Sequence, residues 1–375
     1  EEENYLKKVA LPGAERALKE NDVKGAWLAG LGDLNVCSQK GLVEMFDSSI
    51  GAGSVFMPYG GKYQLTEVQT MVAKLPVMQG NTDTVTMMSY GFDPYLSSWS
   101  PYHGAIYAVT QSMARIVASG GDFRNIHFTF QEYFRRMSGD PRRWSQPFAA
   151  LLGAYDAQIG YSLASIGGKD SMSGTFNDID VPPTLVSFAV DVAQVSEVIT
   201  PELKQEGDML LQFWFDKDEY DIPVYEHVMR TYSFITSLMR RKMVKAAYAL
   251  DCAGLMAGIS KMAFGNQLGV AFEDGLSSGD LFENGLGDIV IEVSSRDGEM
   301  LLKKNESGME GLNFRKAAVV RGDALFTWQD VTVSMEEALQ AWKKSLEKVF
   351  PTKADKGTEP VETKLYRADQ VYVCK

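Results

Sequence analysis

Hydrophobic positions along this chain follow the period of a β-strand in some segments and that of an α-helix in others. Short apolar runs predict strands over residues 51–57, 71–77, 184–190, 209–215 and 288–293. Longer segments predict helices over about 223–249 and 252–265. A closing helix is predicted to begin at Ser334, where Glu337 completes a capping box. The mixture indicates an α/β (α+β) fold.

Two further helices are predicted between these strands. Ser100 and Pro101 supply an N-cap and a first helical residue, and this helix runs to about Ser119. Its apolar stripe comprises Ala105, Ile106, Val109, Met113 and Ile116. A second helix carries a stripe of larger side chains, namely Trp144, Phe148, Leu151, Leu152, Tyr155 and Ile159. Both stripes are interpreted as the apolar faces of amphipathic helices.

Length and composition allow two or three domains with their own cores. The chain has 375 residues, of which 45% are hydrophobic and 23% charged, as in an ordinary globular protein. A boundary is predicted near Thr200 and Pro201. The predicted division is a helical lead-in or linker, an N-domain, a C-domain and a polar linker, over residues 1–40, 41–203, 204–350 and 351–375.

Charge and cysteine content exclude several classes of protein. The formal net charge of −12 argues against binding to nucleic acid or to an anionic membrane, and no long apolar run predicts a membrane span. The three cysteines, Cys37, Cys252 and Cys374, are far apart and form no zinc or disulfide pattern, which suits a reducing cytoplasm. The chain does not begin with Met, so we expect a piece of a longer protein.

A glycine-rich segment is the first candidate site. Gly167, Gly168, Lys169, Asp170 and Ser171 follow one another directly. Glycines let backbone N–H groups approach an anion closely, and Lys and Ser can complete a phosphate-binding turn. Asp170 is a tentative ligand for a Mg²⁺ ion that accompanies phosphate. The alternative interpretation is a tight, solvated loop between a helix and a strand.

The Ser100 helix has a second face that is the other candidate. His103, Tyr107, Gln111 and Arg115 recur every four residues, so they share one side of the helix. This stripe begins at the helix N-terminus, whose positive end can meet an anion. The alternative interpretation is a solvated face without a ligand.

Several segments in order resemble one known family. They read FDSSIG over 46–51, SPYHGA over 100–105, GGKDSMSG over 167–174 and DIDVPPTLVSFAV over 178–190. The chain resembles formylglycinamidine ribonucleotide synthase, also called phosphoribosylformylglycinamidine synthase, a glutamine amidotransferase and ligase of cytoplasmic purine biosynthesis. The long form has two tandem halves, each similar to aminoimidazole ribonucleotide synthetase, followed by a glutaminase domain.

The resemblance implies that the chain is the second half alone, without the glutaminase. The implied fold has a barrel-forming N-domain, an α/β C-domain and a nucleotide between them, with ATP or ADP and Mg²⁺ as cofactors. The implied partners are the first half and the glutaminase domain. A lone half would expose the surface that completes the barrel, so we expect it to form a homodimer and to be inactive alone.

This sequence departs from the family where some members bind Mg²⁺ through carboxylates and an Asn. The matching positions are Lys74, Gln111 and Arg115, which make Mg²⁺ doubtful here. We expect Lys74, Arg115 and Lys169 to form one anion site with the amides of the glycine-rich segment. Alternatively, Lys74 is a surface residue at a strand end and Arg115 forms an ion pair with Asp122 or a nearby acid.

Three roles therefore remain open at this point. The chain is a ligase half that contributes to an ATP-dependent site, a non-catalytic structural half with a degenerate nucleotide pocket, or a self-sufficient enzyme like aminoimidazole ribonucleotide synthetase. The absence of a glutaminase and of the first-half motif from this chain argues against the third. Lys74, Gln111 and Arg115 favour the second role for the local pocket.

Overall fold

The computed structural model describes residues 4–46, 48–306, 308 and 311–352. Their α-helices are α1 (Pro12–Lys19), α2 (Val23–Leu31), α3 (Lys40–Val43), α4 (Pro94–Trp99), α5 (Pro101–Ala118), α6 (Pro141–Tyr161), α7 (Tyr225–Arg240), α8 (Gly254–Phe264), α9 (Ser278–Phe282), α10 (Ser295–Glu306) and α11 (Met335–Glu347). Their strands are β1 (Tyr59–Gly60), β2 (Thr66–Glu67), β3 (Thr70–Lys74), β4 (Thr84–Gly91), β5 (His127–Tyr133), β6 (Ser165–Lys169), β7 (Thr175–Phe176), β8 (Ile179–Asp180), β9 (Thr184–Gln194), β10 (Met209–Trp214), β11 (Val244–Ala249), β12 (Gly269–Phe272), β13 (Ile289–Val293), β14 (Asn313–Arg321), β15 (Leu325–Trp328) and β16 (Val331–Ser334).

The first sheet has five strands in the order β3-β4-β9-β5-β6, and β5 and β6 are its parallel pair. Side chains alternate between its two faces, as the period of a strand requires. One face is buried beneath α5 and contributes Val72, Val85, Met87, Phe128 and Ala189 to the core. The sheet is open, with β3 and β6 at its edges.

Helices α5 and α6 pack closely against each other. A Cβ atom on Gly153 of α6 would lie 2.1 Å from the backbone oxygen of Tyr102 on α5, so only glycine permits this approach. The Tyr102 hydroxyl also donates to the Asp156 carboxylate of α6. The residues that α6 buries are mostly small: Pro147, Ala150, Gly153, Ala154, Ala157 and, at its end, Tyr161.

The second sheet has seven strands in the order β11-β13-β10-β14-β12-β15-β16. One face packs against α8, α11 and the lead-in helix α2, whose Trp27 ring lies 5.4 Å from the ring of Phe272. The other face packs against α7, and its Phe213 and Ile291 belong to the same core cluster as α5. The two sheets therefore share a continuous core. A site can form beside this core, where elements of the two layers meet at the surface.

Most of the predicted elements are confirmed, and two are wrong. Residues 51–57 form a 3₁₀ turn and a single bridge from Ser54 to Ala73 instead of a strand, because Gly51 has a φ of +78°. The helix predicted over 223–249 ends at Arg240, since Lys242 takes a left-handed φ of 59°, and the chain continues as β11. The Ser334–Glu337 capping box is present at α11.

The α/β fold class is confirmed by these two helix-covered sheets. The predicted lead-in forms α1 and α2 and packs on the second sheet. The exact domain limits stay a prediction, and the predicted linker lies mostly outside the described residues. Among the helices given above, none is long and apolar enough to cross a bilayer.

Candidate functional site

A cavity of about 640 Å³ lies where the first sheet meets the second domain. Strands β3 and β4 and the end of α5 form one side, and the end of β11 with α8 forms the other. Two cations, Arg115 and Lys261, line it. The volume is in the range of pockets that hold small molecules.

Arg115 enters this cavity from the last turn of α5. Its Nη1 donates to the Tyr90 backbone oxygen at 2.7 Å, and its guanidinium lies 4.5 Å from the centre of the Tyr90 ring. The Arg115 Nε is buried without a hydrogen-bond partner. The alternative interpretation, an ion pair with Asp122, is not found, because Asp122 pairs with Arg124 instead. Within the described ranges no carboxylate forms an ion pair with Arg115, so its positive charge is available to a ligand.

Lys261 is the second cation, and it is already neutralised. Its Nζ lies 3.0 Å from the Glu67 carboxylate and 3.8 Å from that of Asp251. Burial alone would lower the pKa of Lys261, but Glu67, Tyr248 and Asp251 raise it well above its usual value. The sequence analysis did not predict this cluster of Lys261, Glu67 and Asp251. Its only signal was a lysine in the middle of a helix, α8, whose other residues are apolar or small.

The glycine-rich segment lies away from this cavity. It forms the edge strand β6 and the loop after it, and Lys169 and Asp170 are exposed. Lys74 ends β3 at the opposite edge of the sheet, four strand spacings or roughly 19 Å away. The structure therefore does not bring Lys74, Arg115 and Lys169 into one site within this chain. Instead, Lys74 forms an exposed ion pair with Asp83 at 3.4 Å.

Individual residues of the glycine-rich segment have local contacts of their own. A Cβ on Gly168 would lie 2.6 Å from the Phe130 oxygen, so this glycine is needed for pairing with β5. Gly167 has a φ of 153° and open space around it. The Ser171 hydroxyl lies 3.1 Å from that of Ser173. Both interpretations of the segment, phosphate turn and solvated loop, are compatible with this exposed geometry.

The polar stripe of α5 is divided among separate environments. His103 Nδ1 lies 2.8 Å from the capping Ser100 hydroxyl, and its Nε2 lies 2.9 Å from the Tyr220 backbone oxygen. Gln111 is buried and accepts a hydrogen bond from the Phe92 N–H at 3.1 Å. Twelve residues separate His103 from Arg115, which is about 18 Å along a helix. Arg115 is therefore the residue of this stripe that lines the cavity.

The residues present do not fit a Mg²⁺ site. No group of three or more His, Cys, Asp or Glu side chains in the described part of the chain is placed to hold a metal ion. At the cavity, Glu67 and Asp251 are engaged by Lys261. At the loop, Asp170 has Glu132 as its acidic neighbour, and burial followed by the Asp170 charge raises the pKa of Glu132.

The two cysteines in the described part of the chain are unsuited to act as nucleophiles. Cys37 and Cys252 are buried, and burial raises the pKa of both thiols, which disfavours the reactive thiolate. Cys374 lies outside the described residues. The charged groups of the described cavity lining are Arg115 and the cluster of Lys261, Glu67 and Asp251.

Comparison with known proteins gives relatives in sequence. No protein-family model matches the chain. Phosphoribosylformylglycinamidine synthase subunit PurL of Brucella ovis is 23% identical over 349 residues, which cover 86% of this chain and 44% of the relative. The same protein of Brucella canis gives the same values. The chain thus spans less than half the length of these curated relatives.

Solved structures give the same result for the fold. T. maritima PurL complexed with ADP aligns with a TM-score of 0.57 at 13% identity, over 81% of this chain and 50% of that chain. PurLQS from Thermotoga maritima aligns with a TM-score of 0.57 at 13% identity, over 76% and 49% of the two chains. The resemblance inferred from the motifs is confirmed at this level: the chain is similar to PurL in sequence and has a PurL-like fold.

Proposed function

We propose that this chain is one synthetase-like half of a phosphoribosylformylglycinamidine synthase. The whole protein would be an ATP-dependent ligase that transfers glutamine nitrogen to formylglycinamide ribonucleotide in cytoplasmic purine biosynthesis. Similarity to PurL in sequence over 86% of the chain and in fold over 81% supports this proposal. The other half and a glutaminase domain would be its partners.

Within that protein, the proposed role of this chain is to bind the phosphate groups of an adenine nucleotide in the cavity. The observation that carries the proposal is Arg115, a buried cation with an unpartnered Nε and no carboxylate in an ion pair with it among the described residues. Charge-assisted hydrogen bonds from a guanidinium to phosphate oxygens are short and strong. T. maritima PurL, which shares the fold, has been solved with ADP and with ATP.

The second candidate is a non-catalytic half with a degenerate pocket. It is favoured by the ion pairs of Lys261, which occupy the cavity carboxylates that a Mg²⁺ ion would need. Arg115 would then hold phosphate by direct charge and without metal. In this interpretation the nucleotide has a structural role, and chemistry takes place in the other half.

The glycine-rich segment stays a separate proposal. Lys169, Asp170 and the amides of Gly167, Gly168 and Ser171 would form a second phosphate contact at the β6 edge. Their exposure leaves them accessible to a ligand or to a neighbouring half. Phosphate binding by His103, Gln111 and Lys74 stays a prediction. Each of these side chains already contacts a protein group, so none of them is part of the cavity proposal.

The open face of the first sheet is the proposed surface for pairing with the other half. It exposes Met71, Met88, Tyr90 and Val192, whose side chains are 39–55% accessible. A contiguous apolar sheet face of this kind is a common protein interface. In the absence of the other half, two copies of the chain would pair through it and complete a barrel.

Thermal unfolding with added ADP or phosphate tests the cavity proposal. We expect both ligands to raise the melting temperature of the chain without Mg²⁺. Arg115→Met should abolish most of that rise, and Lys304→Ala, an exposed lysine on α10, should leave it intact. A rise that survives Arg115→Met but is lost in Lys169→Ala would move the site to the loop. A rise that strictly requires Mg²⁺ would contradict direct binding by charge.

A second measurement separates the two candidate roles. The chain alone should form no ADP from ATP when glutamine and formylglycinamide ribonucleotide are supplied, because the glutaminase and the other half are partners in the proposal. Adding a separately purified first half and glutaminase should restore turnover. If Arg115→Met then leaves the restored turnover unchanged but weakens assembly, the structural role is correct.

A further inference from the structure

The outer face of α6 exposes a row of large apolar side chains. Its members are Trp144, Phe148, Leu151, Leu152, Tyr155 and Ile159, with 42–63% of each residue accessible. This set is called the α6 stripe below. Between its two ends Ser145 is the one exposed polar residue, and no charged residue is exposed. A helix face that remains in water normally carries charges, so the α6 stripe is a candidate interface.

The spacing of the α6 stripe is symmetric about its centre. Reversing the helix about the point between Leu151 and Leu152 exchanges those two residues. The same operation exchanges Phe148 with Tyr155 and Trp144 with Ile159. An aromatic thus faces an aromatic, and an aliphatic an aliphatic, except at the ends. A surface that is complementary to its own reversed copy is what a two-fold symmetric interface requires.

The steps along the stripe also suit helix-on-helix packing. Trp144, Phe148, Leu151 and Tyr155 are separated by four, three and four residues, which is the alternation of a coiled-coil seam. Helix α6 has 21 residues and is about 31 Å long, so all the pairs fit along one antiparallel contact. Its opposite side is occupied by α5 and, near its C-terminal end, by α7, whereas the stripe stays exposed among the described residues.

The exposed aromatic area accounts for much of a small specific contact. Aromatic side chains bury about 150–250 Å² each, so the three aromatic residues of the stripe, which are 53–62% exposed, offer roughly 350 Å² per copy. Two copies would bury roughly 700 Å² from these rings, and the three aliphatic residues of each copy would bring the contact towards the roughly 1,200 Å² of the smallest specific interfaces. The flanking helix ends, which carry Arg142 and Arg143, would add a polar rim.

We propose that the α6 stripe is a homodimer interface, in which two copies of this chain pack their α6 helices antiparallel about a two-fold axis between Leu151 and Leu152. This interface is distinct from the open sheet face and goes beyond the proposed function. The sheet is covered by α5 on its buried side, and α6 lies outside α5. A protein that has already paired through its sheet face could therefore still associate through α6.

Cysteine cross-linking tests the register of this pairing. In a Cys374→Ser background, Phe148→Cys combined with Tyr155→Cys should give a covalent dimer on mild oxidation, through bonds between position 148 of one copy and 155 of the other. Positions 148 and 155 of one helix are about 10 Å apart, too far for a bond within the chain. Cys37 and Cys252 are buried and should not contribute.

Two controls make the result specific. Trp144→Cys combined with Phe148→Cys should give no dimer, because their antiparallel counterparts 159 and 155 are unchanged. In a Met88→Glu background, in which the sheet face should not pair, Phe148→Glu should weaken dimerisation at least tenfold in sedimentation analysis, whereas Met88→Glu alone should not change the cross-linking. Efficient cross-linking of Phe148→Cys alone would indicate parallel helices, and a 148/155 pair that stays uncross-linked would overturn the proposal. Either outcome leaves the cavity experiments unaffected.

Discussion

Helices α5 and α6 are adjacent and each has an apolar stripe, but the two stripes have opposite fates. On α5, Ile106, Val109 and Met113 are fully buried. On α6, Phe148 and Ile159 are exposed, at 62% and 63%. An apolar stripe in the sequence therefore indicates a contact surface but does not indicate whether the contact lies within the chain.

The difference has a structural reason. Helix α5 lies between the first sheet, α6 and elements of the second sheet's layer, so every residue from Gly104 to Ala118 is buried. Helix α6 contacts α7 only near its C-terminal end, through Tyr161 and Tyr225, and it approaches its main neighbour, α5, through glycine and alanine. Small residues allow the two helix backbones to approach closely, so the large side chains of α6 do not fit in this contact and lie on the outer face.

The largest expected effect comes from truncating the two stripes in parallel. Met113→Ala should lower the free energy of unfolding by about 2–5 kcal/mol, because it leaves a cavity in a fully packed core. Phe148→Ala should change it by less than about 0.5 kcal/mol, because the ring is mainly in water. Denaturant titration at a concentration that excludes association measures both. An equal loss of unfolding free energy in the two variants would contradict the difference in burial between the two stripes.

The small-residue contact between the helices gives the next effect. Gly153→Ala should destabilise the chain by about 1–3 kcal/mol, since the added methyl meets the Tyr102 oxygen at 2.1 Å. The higher helix propensity of alanine opposes this loss by about 1 kcal/mol. Gly139→Ala is the matched control, because nothing lies within 4 Å of its Cβ. If both variants unfold at the wild-type midpoint, α5 and α6 are not held by close approach.

A buried carboxylate extends the comparison from apolar to charged residues. Glu292 on β13 is fully buried, and burial raises its pKa to about 8, although N–H groups of Lys204 and Gln205 donate to it. Between pH 4.5 and 8 the folded state holds a proton that the unfolded state releases, so the free energy of unfolding falls as pH rises. Glu292→Gln should flatten this dependence. A steeper dependence in the variant would contradict the shift.

The smallest effect should be the same for both helices. Ser100 caps α5 by accepting from the His103 N–H, and Asp140 caps α6 by accepting from the Arg142 N–H at 3.0 Å. Ser100→Ala and Asp140→Ala should each cost about 1 kcal/mol, because a cap satisfies local backbone groups. Thermal unfolding of the two variants side by side checks this. A loss confined to Ser100→Ala would show that capping energy depends on burial.

Some features of this protein were determined by the sequence alone. The period of the apolar residues and the caps at Ser100 and Ser334 predicted α5, α11 and four of the sixteen described strands, β3, β9, β10 and β13, because these signals act within a few residues. The motifs over 100–105 and 167–190 predicted the PurL-like fold. The prediction of one helix over 223–249 was wrong because the backbone turns at Lys242, which separates α7 from β11.

Tertiary structure alone decided the site and the free surface. The order of strands put Lys74 and Lys169 at opposite edges of the first sheet. The packing of α8 brought Lys261 into the same cavity as Arg115, although the two residues are 146 positions apart in the chain. Which face of α6 turned outward depended on the closeness of its contact with α5. Each of these outcomes depends on distances between residues far apart in sequence, and a pattern of hydrophobic and polar positions contains no such distances.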